Sequence, residues 1–166
     1  LNETTFLQTQ ILFRMLKPFS LSKECILDTI KQLKSSKQNI VQNINPHLMM
    51  IKEYGYVIFT NQKIKDYYLK IDEEGEYELD NHTYLHITKN ICNFITSSGK
   101  LWYNINMLPI IIRTRKNGDK IKTKKGSISV SDYLTNHKIP YLQRKQILLL
   151  CDKDDLPIAI LGYIIK

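Results

Sequence analysis

The sequence predicts an α+β fold: an N-terminal helical hairpin packed on short strands, then a C-terminal α+β domain with a mainly antiparallel sheet. Two observations lead to this prediction. Apolar residues recur at helical spacing in the first third of the chain, and from Asn39 onward they form short strand-like runs divided by turns. The polar tract Ser97-Ser98-Gly99-Lys100 follows the middle runs, so we place a domain boundary there, between residues 1–98 and 99–166.

Two short helices with a tight link are predicted first. The apolar residues of the first helix lead to Pro18, whose ring ends the segment; they are Phe6, Leu7, Ile11, Phe13 and Met15. Ser22 has the position of an N-cap for the second helix, whose apolar face consists of Ile26, Leu27, Ile30 and Leu33. We expect this hairpin to pack on three strands, at Asn39–Ile44, Leu48–Glu53 and Tyr56–Thr60.

Aromatic and β-branched segments between Tyr67 and Thr96 flank an acidic stretch. Its members are Asp72, Glu73, Glu74, Glu76, Glu78 and Asp80. Such a cluster is typical of a solvated hairpin. Paired carboxylates serve acid/base catalysis in a dry pocket that splits their pKa values, and the surrounding sequence predicts no such enclosure. A small enzyme with its site at Glu73–Glu78 is therefore the least favoured function.

The second half is predicted to combine strands with two short helices. The strands are Leu101–Ile105, Pro109–Arg115, Ile147–Asp152 and Ile158–Ile164. Ser129 has the position of an N-cap for a helix that ends at Lys138-Ile139-Pro140, and another helical turn is expected near Leu142–Gln146. We expect Trp102 to anchor the core of this domain, because large aromatic side chains dominate core energetics.

The formal charge of +8 is concentrated in one part of the sequence. Residues 111–145 contain ten bases and two acids, whereas the remainder, with 14 bases and 14 acids, is neutral. A single basic window on a balanced protein is expected for a polyanion site, because each phosphate that is neutralised releases condensed counterions. The alternative is a lysine-rich surface of a protein from an AT-rich genome, which implies no specific partner.

The rest of the composition excludes several protein classes. Cys25, Cys92 and Cys151 are odd in number and far apart, so we expect reduced, buried thiols rather than disulfides or a zinc site. The four histidines show no convincing metal-ligand spacing. No long apolar run or signal-peptide pattern occurs, and we expect a cytoplasmic chain without a membrane partner. Leu1 in place of Met indicates a piece of a longer protein.

The most specific feature is a series of motifs in the basic window. It reads Leu108-Pro109-Ile110-Ile111-Ile112-Arg113-Thr114-Arg115-Lys116-Asn117-Gly118-Asp119-Lys120, then Ser131-Asp132-Tyr133-Leu134, then Lys138-Ile139-Pro140 and Arg144. This order resembles the C-terminal domain of tRNA(Ile)-lysidine synthetases, in which L-P-L-x-V-R-x-R-x-x-G-D precedes a K-D-F-L-like helix, K-(I/V)-P and an arginine. The first third is more loosely similar to the family's tRNA-binding helical subdomain, from Ile11 through Leu21-Ser22 to Glu53-Tyr54-Gly55.

The resemblance implies a partner and a division of labour. Family members select the isoleucine tRNA with a CAU anticodon. Their N-terminal domain uses ATP, with Mg, to adenylate the wobble cytidine and couple free lysine, while the C-terminal parts hold the tRNA; the full-length enzyme is a candidate homodimer. The S-G-G-x-D-S loop of the catalytic domain is absent here, so we expect no catalytic residue, cofactor or metal in this chain. Where the family often has two lysines before the Asp-Phe-Leu helix, this chain has Ile128-Ser129.

The candidate RNA contacts all lie in the basic window: Arg113, Arg115, Lys116, Lys120, Lys122, Lys124, Lys125, Lys138 and Arg144. Arg113 and Arg115 are two residues apart on a predicted strand and so share a face, where their guanidinium groups can contact phosphates or bases. Alternatively, one of them pairs with Asp119 and braces the turn that Gly118 makes with a positive φ. The five lysines between residues 116 and 125 are predicted to lie on a flexible loop and to contact phosphate, and Lys138 and Arg144 flank Pro140 and extend the same patch. A stand-alone RNA-binding module would satisfy the same pattern and stays open as an alternative.

Overall fold

The computed structural model confirms an α+β fold with mostly antiparallel sheets and a few helices. It describes residues 4–63, 65–80, 83–89, 91–97, 99–105, 108–123 and 126–163. Contacts divide the chain into two compact units, Leu1–Lys63 and Ile64–Lys166, and each is described by itself. Every strand pairing in the described ranges is antiparallel.

The first unit consists of two helices and a three-stranded sheet. Its elements are α1 Thr5–Met15, a 3-10 turn Lys17–Phe19, α2 Lys23–Lys34, β1 Ile40–Asn45, β2 Leu48–Glu53 and β3 Tyr56–Thr60. The Thr4 and Ser22 hydroxyls accept hydrogen bonds from the Leu7 and Cys25 amides and cap α1 and α2. Strand order is β1-β2-β3.

Residues from both helices and from β2 share one apolar core in this unit. It contains Leu12, Leu16, Ile26, Ile30, Leu33, Leu48 and Met50. Lys52 adds a polar link, because its Nζ donates to the Leu33 carbonyl at 2.9 Å and the Ser35 carbonyl at 2.8 Å. Two carbonyls that the end of α2 would leave without a helical partner are thus satisfied by the sheet.

The second unit contains ten strands and two helices in the described part of the chain. They are β4 Tyr68–Ile71, β5 Gly75–Asp80, β6 Thr83–Thr88, β7 Ile91–Thr96, β8 Gly99–Asn104, β9 Ile110–Thr114, β10 Lys120–Thr123, β11 Gly126–Ser129, α3 Val130–Asn136, α4 Tyr141–Gln146, β12 Leu148–Cys151 and β13 Pro157–Ile160. They form a sheet β5-β6-β7-β8, a sheet β13-β12-β9-β4 and a two-stranded ribbon β10-β11. The sequence-based boundary between residues 98 and 99 falls within the first sheet, where Thr96 pairs with Gly99.

Strand β9 lies between the two cores of this unit, because its side chains alternate between the two faces of the sheet. Ile110 and Ile112 join the cluster that includes Leu85, Ile87 and Cys92 of the β5–β8 sheet. Ile111 points to the opposite cluster, which contains Ile121 of the ribbon together with Val130 and Leu134 of α3. The central sheet is thus covered by a second sheet on one face and by the ribbon and α3 on the other.

The prediction that Trp102 anchors this core is wrong, because its side chain is 66% exposed. Adjacent residues of a strand point to opposite faces, and on β8 the inward position belongs to Tyr103. The Tyr103 hydroxyl donates towards the Ile160 carbonyl at 3.2 Å and accepts from the Gly162 amide at 2.9 Å. A tyrosine thus takes the anchoring role, with its polar end tied to the segment after β13.

The three cysteines are free thiols. Cys92 and Cys151 are fully buried, and burial raises the pKa of each thiol to about 12. Cys25 is half-buried. At neutral pH the two buried residues are therefore protonated and behave as small apolar side chains.

Candidate nucleic-acid interface

The basic window extends over the end of β9, the turn that follows it, the β10-β11 ribbon and helices α3 and α4. All of these elements belong to the second unit. The candidate bases with described placement fall into two groups by environment. One group is held inside the protein by carboxylates and backbone carbonyls, and the other projects into solvent.

Arg113 belongs to the first group, because its side chain is only 3% exposed and all five of its N–H groups are used inside the chain. Nη1 and Nη2 each donate at 2.9 Å to one carboxylate oxygen of Asp119. Nε donates to the carboxylate of Asp155, and the remaining N–H groups reach the carbonyls of Thr114 at 3.0 Å and Asp155 at 3.2 Å. This planar, bidentate arrangement makes Arg113 a bracing residue with no donor left for RNA.

Arg113, Asp119, Asp155 and Lys116 form a carboxylate cluster in which the opposite charges stabilise one another. Burial alone would raise the pKa of Asp119, but hydrogen bonds from Arg113 and from the Lys116 amide lower it below its ordinary value. The pKa of Asp155 is likewise lowered, because the hydrogen bonds from Lys116 and Arg113 outweigh its burial. The hydrogen bonds to Asp119, opposed by burial, raise the pKa of Arg113. Both carboxylates are therefore ionised at neutral pH.

The turn after β9 is organised around the same carboxylates. The Lys116 amide donates to Asp119 Oδ2 at 2.6 Å, and Gly118 has a φ of +87°, which a residue with a side chain rarely adopts. Lys116 Nζ forms an ion pair with Asp155, although the lysine side chain is 59% exposed. The charge of Lys116 is thus partly neutralised, and the positions of Gly118 and Asp119 are those of a structural turn.

Arg115 and Arg144 are linked by a hydrogen bond from the Arg115 side chain to the Arg144 backbone carbonyl. Strand β9 ends at Thr114, so Arg115 lies in the turn, and its Nε donates to the Arg144 carbonyl at 3.2 Å. Arg144 donates from Nε to the Ile139 carbonyl and from Nη1 to the Thr135 hydroxyl at 2.9 Å. Arg144 therefore ties α4 to the end of α3, which is a structural use of a residue expected to contact RNA.

The exposed bases lie mainly on the β10-β11 ribbon, so the prediction of a loop for Lys120 and Lys122 is wrong: both belong to a strand that pairs with β11. Lys120 and Lys122 alternate with the buried Ile121, and both are exposed. Opposite them on β11 stand Ser129 and Ser127, so one face of the ribbon carries lysine ammonium groups and serine hydroxyls. Lys124 and Lys125 belong to the segment between the two strands and lie outside the described residues.

Lys138 is also exposed and stands in the turn after α3, with a φ of +54°. Its amide donates to the Thr135 carbonyl at 2.9 Å, which closes the C-terminal turn of the helix. Lys138 thus joins the solvent-facing group. In all, the structure places Lys120, Lys122 and Lys138 in solvent, Lys116 at the edge of the carboxylate cluster, and Arg113 inside it.

Sequence reasoning missed Asp155, the second carboxylate of the cluster. Asp155 lies in the connection between β12 and β13, 42 residues from its partner Arg113 and beyond the reach of any local pattern. A second omission is a cleft lined by Arg115, Tyr141 and Lys145 among others. Asp155 has a φ of +61°, in the left-handed region that Asp tolerates better than most residues.

The acidic stretch does not form an enclosed site. Glu73 and Glu74 are exposed on the connection before β5, and Glu76 and Glu78 are exposed on β5 itself. The dry environment that carboxylate catalysis needs is missing around these four side chains. Among the residues with described placement, no three His, Cys, Asp or Glu side chains are grouped as metal ligands would be. No described helix is long and apolar enough to cross a membrane.

No protein-family model matches the chain, and no curated protein matches it significantly.

Proposed function

We propose that this chain is the tRNA-holding part of a tRNA(Ile)-lysidine synthetase. Two lines of support come together in the second unit. The motif series from Leu108 to Arg144 resembles the C-terminal domain of that family. Residues 111–145, which overlap this series almost completely, contain the whole excess of positive charge. A polyanion partner accounts for both, because phosphate contacts supply most of the affinity in nucleic-acid binding.

The observation that carries the proposal is the difference between the inward and outward bases of the window. Arg113 and Lys116 are matched by Asp119 and Asp155. Lys120 and Lys122 form no ion pair within the described ranges and stand on one exposed ribbon face. Their charge is therefore available to an external anion.

Two contacts hold the ribbon in the position from which it presents its lysines. Ile121 lies in the apolar cluster with Val130 and Leu134, which anchors the strand that presents the two lysines. The Thr123 hydroxyl donates to the Gly126 carbonyl at 3.2 Å and links the end of β10 to the start of β11. A double-stranded RNA helix is recognised mainly by its shape and backbone. A rigid pair of strands with ammonium groups on one face suits that mode of recognition.

In this proposal, the catalytic steps of the family's reaction take place on a domain that is separate from this chain. A separate domain binds ATP, Mg and lysine and modifies the wobble cytidine, while this chain supplies affinity and orientation in the cytoplasm. The two N-terminal helices act as a hairpin packed on the β1–β3 sheet and form a further hold on the tRNA. Pairing of two copies is a property of the complete enzyme.

The proposal is tested by titrating the chain with the isoleucine tRNA with a CAU anticodon and with a non-cognate tRNA at several salt concentrations. The informative variant is Lys120→Glu/Lys122→Glu, with Lys124→Glu/Lys125→Glu as a second pair. The matched control is Lys89→Glu/Lys100→Glu, which changes the charge equally at two exposed positions, one in the turn after β6 and one on β8. Loss of two phosphate contacts should reduce the slope of log K against log salt by about 2.

Three outcomes are distinct. Salt-sensitive binding that prefers the cognate tRNA, and that the ribbon variant weakens more than the control does, supports the synthetase assignment. Equal binding of both tRNAs replaces it with a stand-alone RNA-binding module. Absence of binding at low salt overturns an RNA function altogether.

A further inference from the structure

A small cleft lies beside the carboxylate cluster in the second unit. Its volume is about 190 Å³, and it is lined by Asp66, Thr114, Arg115, Asn117, Tyr141 and Lys145. The lining includes two cations, one carboxylate, one side-chain amide and one aromatic ring. Such a cleft presents several hydrogen-bond donors to a ligand in a small volume.

The cations of the cleft retain donors that no residue with described placement uses. Arg115 contributes only its Nε to an internal hydrogen bond, so Nη1 and Nη2 keep four N–H groups. Lys145 Nζ lies 5.6 Å from the centroid of the Tyr141 ring, and this cation–π contact holds the ammonium group without consuming its N–H donors. A guanidinium and an ammonium group beside one cleft are suited to a phosphate.

The walls of the cleft are held in place by the surrounding structure. Thr114 is buried, its hydroxyl accepts from the Tyr67 amide at 3.3 Å, and its own amide donates to the Tyr67 carbonyl at 3.0 Å. Asn117 belongs to the turn that the Arg113–Asp119 pair braces. Arg115 is held by its bond to the Arg144 carbonyl and Lys145 by its contact with Tyr141, which reduces the entropic cost of ordering these donors on binding.

Asp66 gives the cleft a different chemistry at one side. Its Oδ1 accepts from the Thr114 hydroxyl at 3.4 Å, and the exposed carboxylate keeps further lone pairs. A carboxylate repels phosphate but accepts a hydrogen bond from a hydroxyl group. The ligand that satisfies both sides of the cleft carries a phosphate and a hydroxyl a short distance apart.

From this juxtaposition we infer that the cleft holds one ribose-phosphate unit of bound RNA, with Arg115 and Lys145 on the phosphate and Asp66 on the ribose 2′-hydroxyl. This inference rests on the proposed RNA-binding function and adds a selective element to it. The 2′-hydroxyl is the group by which a protein distinguishes RNA from DNA. The ribbon lysines attract any polyanion, whereas this cleft favours RNA.

The test uses small ligands, so that it does not depend on tRNA binding by the ribbon. The full chain is titrated with cytidine 5′-monophosphate, its 2′-deoxy analogue and inorganic phosphate while the backbone amide resonances are followed by NMR. The ribonucleotide should shift the resonances of Thr114, Asn117 and Lys145 and bind at least about tenfold more tightly than the deoxynucleotide, as expected for one hydrogen bond to a charged group. Equal affinity of the two nucleotides, or no shift at these residues, overturns the inference.

Two variants separate the roles of the side chains. Asp66→Asn should reduce the preference for the ribonucleotide and leave phosphate binding intact, because the neutral amide oxygen is a weaker acceptor than the carboxylate. Lys145→Met should weaken all three ligands while Lys89→Met does not, and Arg115→Gln should do the same where it folds. Undiminished nucleotide discrimination in Asp66→Asn contradicts the inference, even if the ribbon variants abolish tRNA binding.

RNA hairpins with and without a 5′-phosphate are each used to compete with the ribonucleotide bound in the cleft. This comparison shows which phosphate of an RNA the cleft binds. Stronger competition by the phosphorylated hairpin assigns the cleft to the end of a strand. Equal competition by both hairpins assigns it to an internal phosphodiester. Failure of both to displace the ribonucleotide from the cleft counts against RNA as the natural ligand, whatever happens at the ribbon.

Discussion

Arg113 and Asp119 form a bidentate ion pair in the interior of the second unit, with both Nη–Oδ distances at 2.9 Å and side chains only 3% and 9% exposed. The pair closes the turn that contains Gly118. It also fixes the base of the segment from which the ribbon starts. Arg113, which the sequence motif predicts to contact RNA, instead holds the turn from which the lysine-bearing β10-β11 ribbon begins.

Replacement of Arg113 by Gln should lower the free energy of unfolding by about 3 kcal/mol, because it leaves Asp119 buried without its partner. Arg113→Lys should also destabilise, since an ammonium group cannot reproduce two parallel hydrogen bonds to one carboxylate. Urea unfolding followed by circular dichroism measures both effects. Lys89→Gln is the control for loss of a positive charge, and destabilisation of Arg113→Gln no larger than that of the control would contradict the bracing role.

The lowered pKa values of Asp119 and Asp155 make stability depend on pH. A carboxyl group whose pKa is lower in the folded state contributes stability above its unfolded pKa and loses it as the pH falls through the folded value. We therefore expect the urea midpoint to fall below about pH 4, near the ordinary carboxyl pKa. Asp119→Asn should be less stable at pH 7 and show a weaker fall. Parallel pH profiles for the two proteins would exclude Asp119 as a source of the effect.

Removal of the Tyr103 hydroxyl should destabilise the second unit. The variant Tyr103→Phe keeps the buried ring but loses hydrogen bonds to the Ile160 carbonyl and the Gly162 amide, at a cost of about 1 kcal/mol. Tyr68→Phe is the matched control, because Tyr68 is 61% exposed and its hydroxyl forms no such link. Thermal unfolding compares the two substitutions, and equal stabilities would show that the Tyr103 hydroxyl contributes nothing.

Lys52→Met should loosen the end of α2 in the first unit. The methionine retains the apolar stem but no longer donates to the Leu33 and Ser35 carbonyls. Amide hydrogen exchange should become faster in the last turn of α2, with a loss of about 1 kcal/mol in protection. Lys31→Met on the exposed face of the same helix serves as the control. Unchanged exchange in Lys52→Met would mean that the two carbonyls are satisfied equally well by water.

Local patterns were sufficient for most secondary structure. The strands at Leu48–Glu53 and Tyr56–Thr60 have the bounds that their apolar runs predict, and Ser129 accepts from the Asp132 amide as the N-cap of α3. These features depend on residues fewer than six positions apart, so their signals are contained in a short stretch of sequence. The environment of Trp102 was not predictable in the same way, since which face of β8 is covered depends on a distant sheet.

The features of the candidate site are likewise of two kinds, those that the local sequence determined and those that the tertiary structure determined. Sequence alone determined that positive charge is concentrated in one window and that Gly118 makes a turn, because charge and turn-forming residues are local properties. The sequence predicted a loop for Lys120 and Lys122, and it was the structure that placed them on one face of strand β10. Only the tertiary structure decided which cations are available. It brings Asp155 to Arg113 across 42 residues and sets Asp66 beside Thr114 across 48, so that one arginine is neutralised within the protein while the ribbon lysines face solvent. The physical reason is that the strength of an ion pair depends on distance and burial, which the order of residues along a chain does not contain.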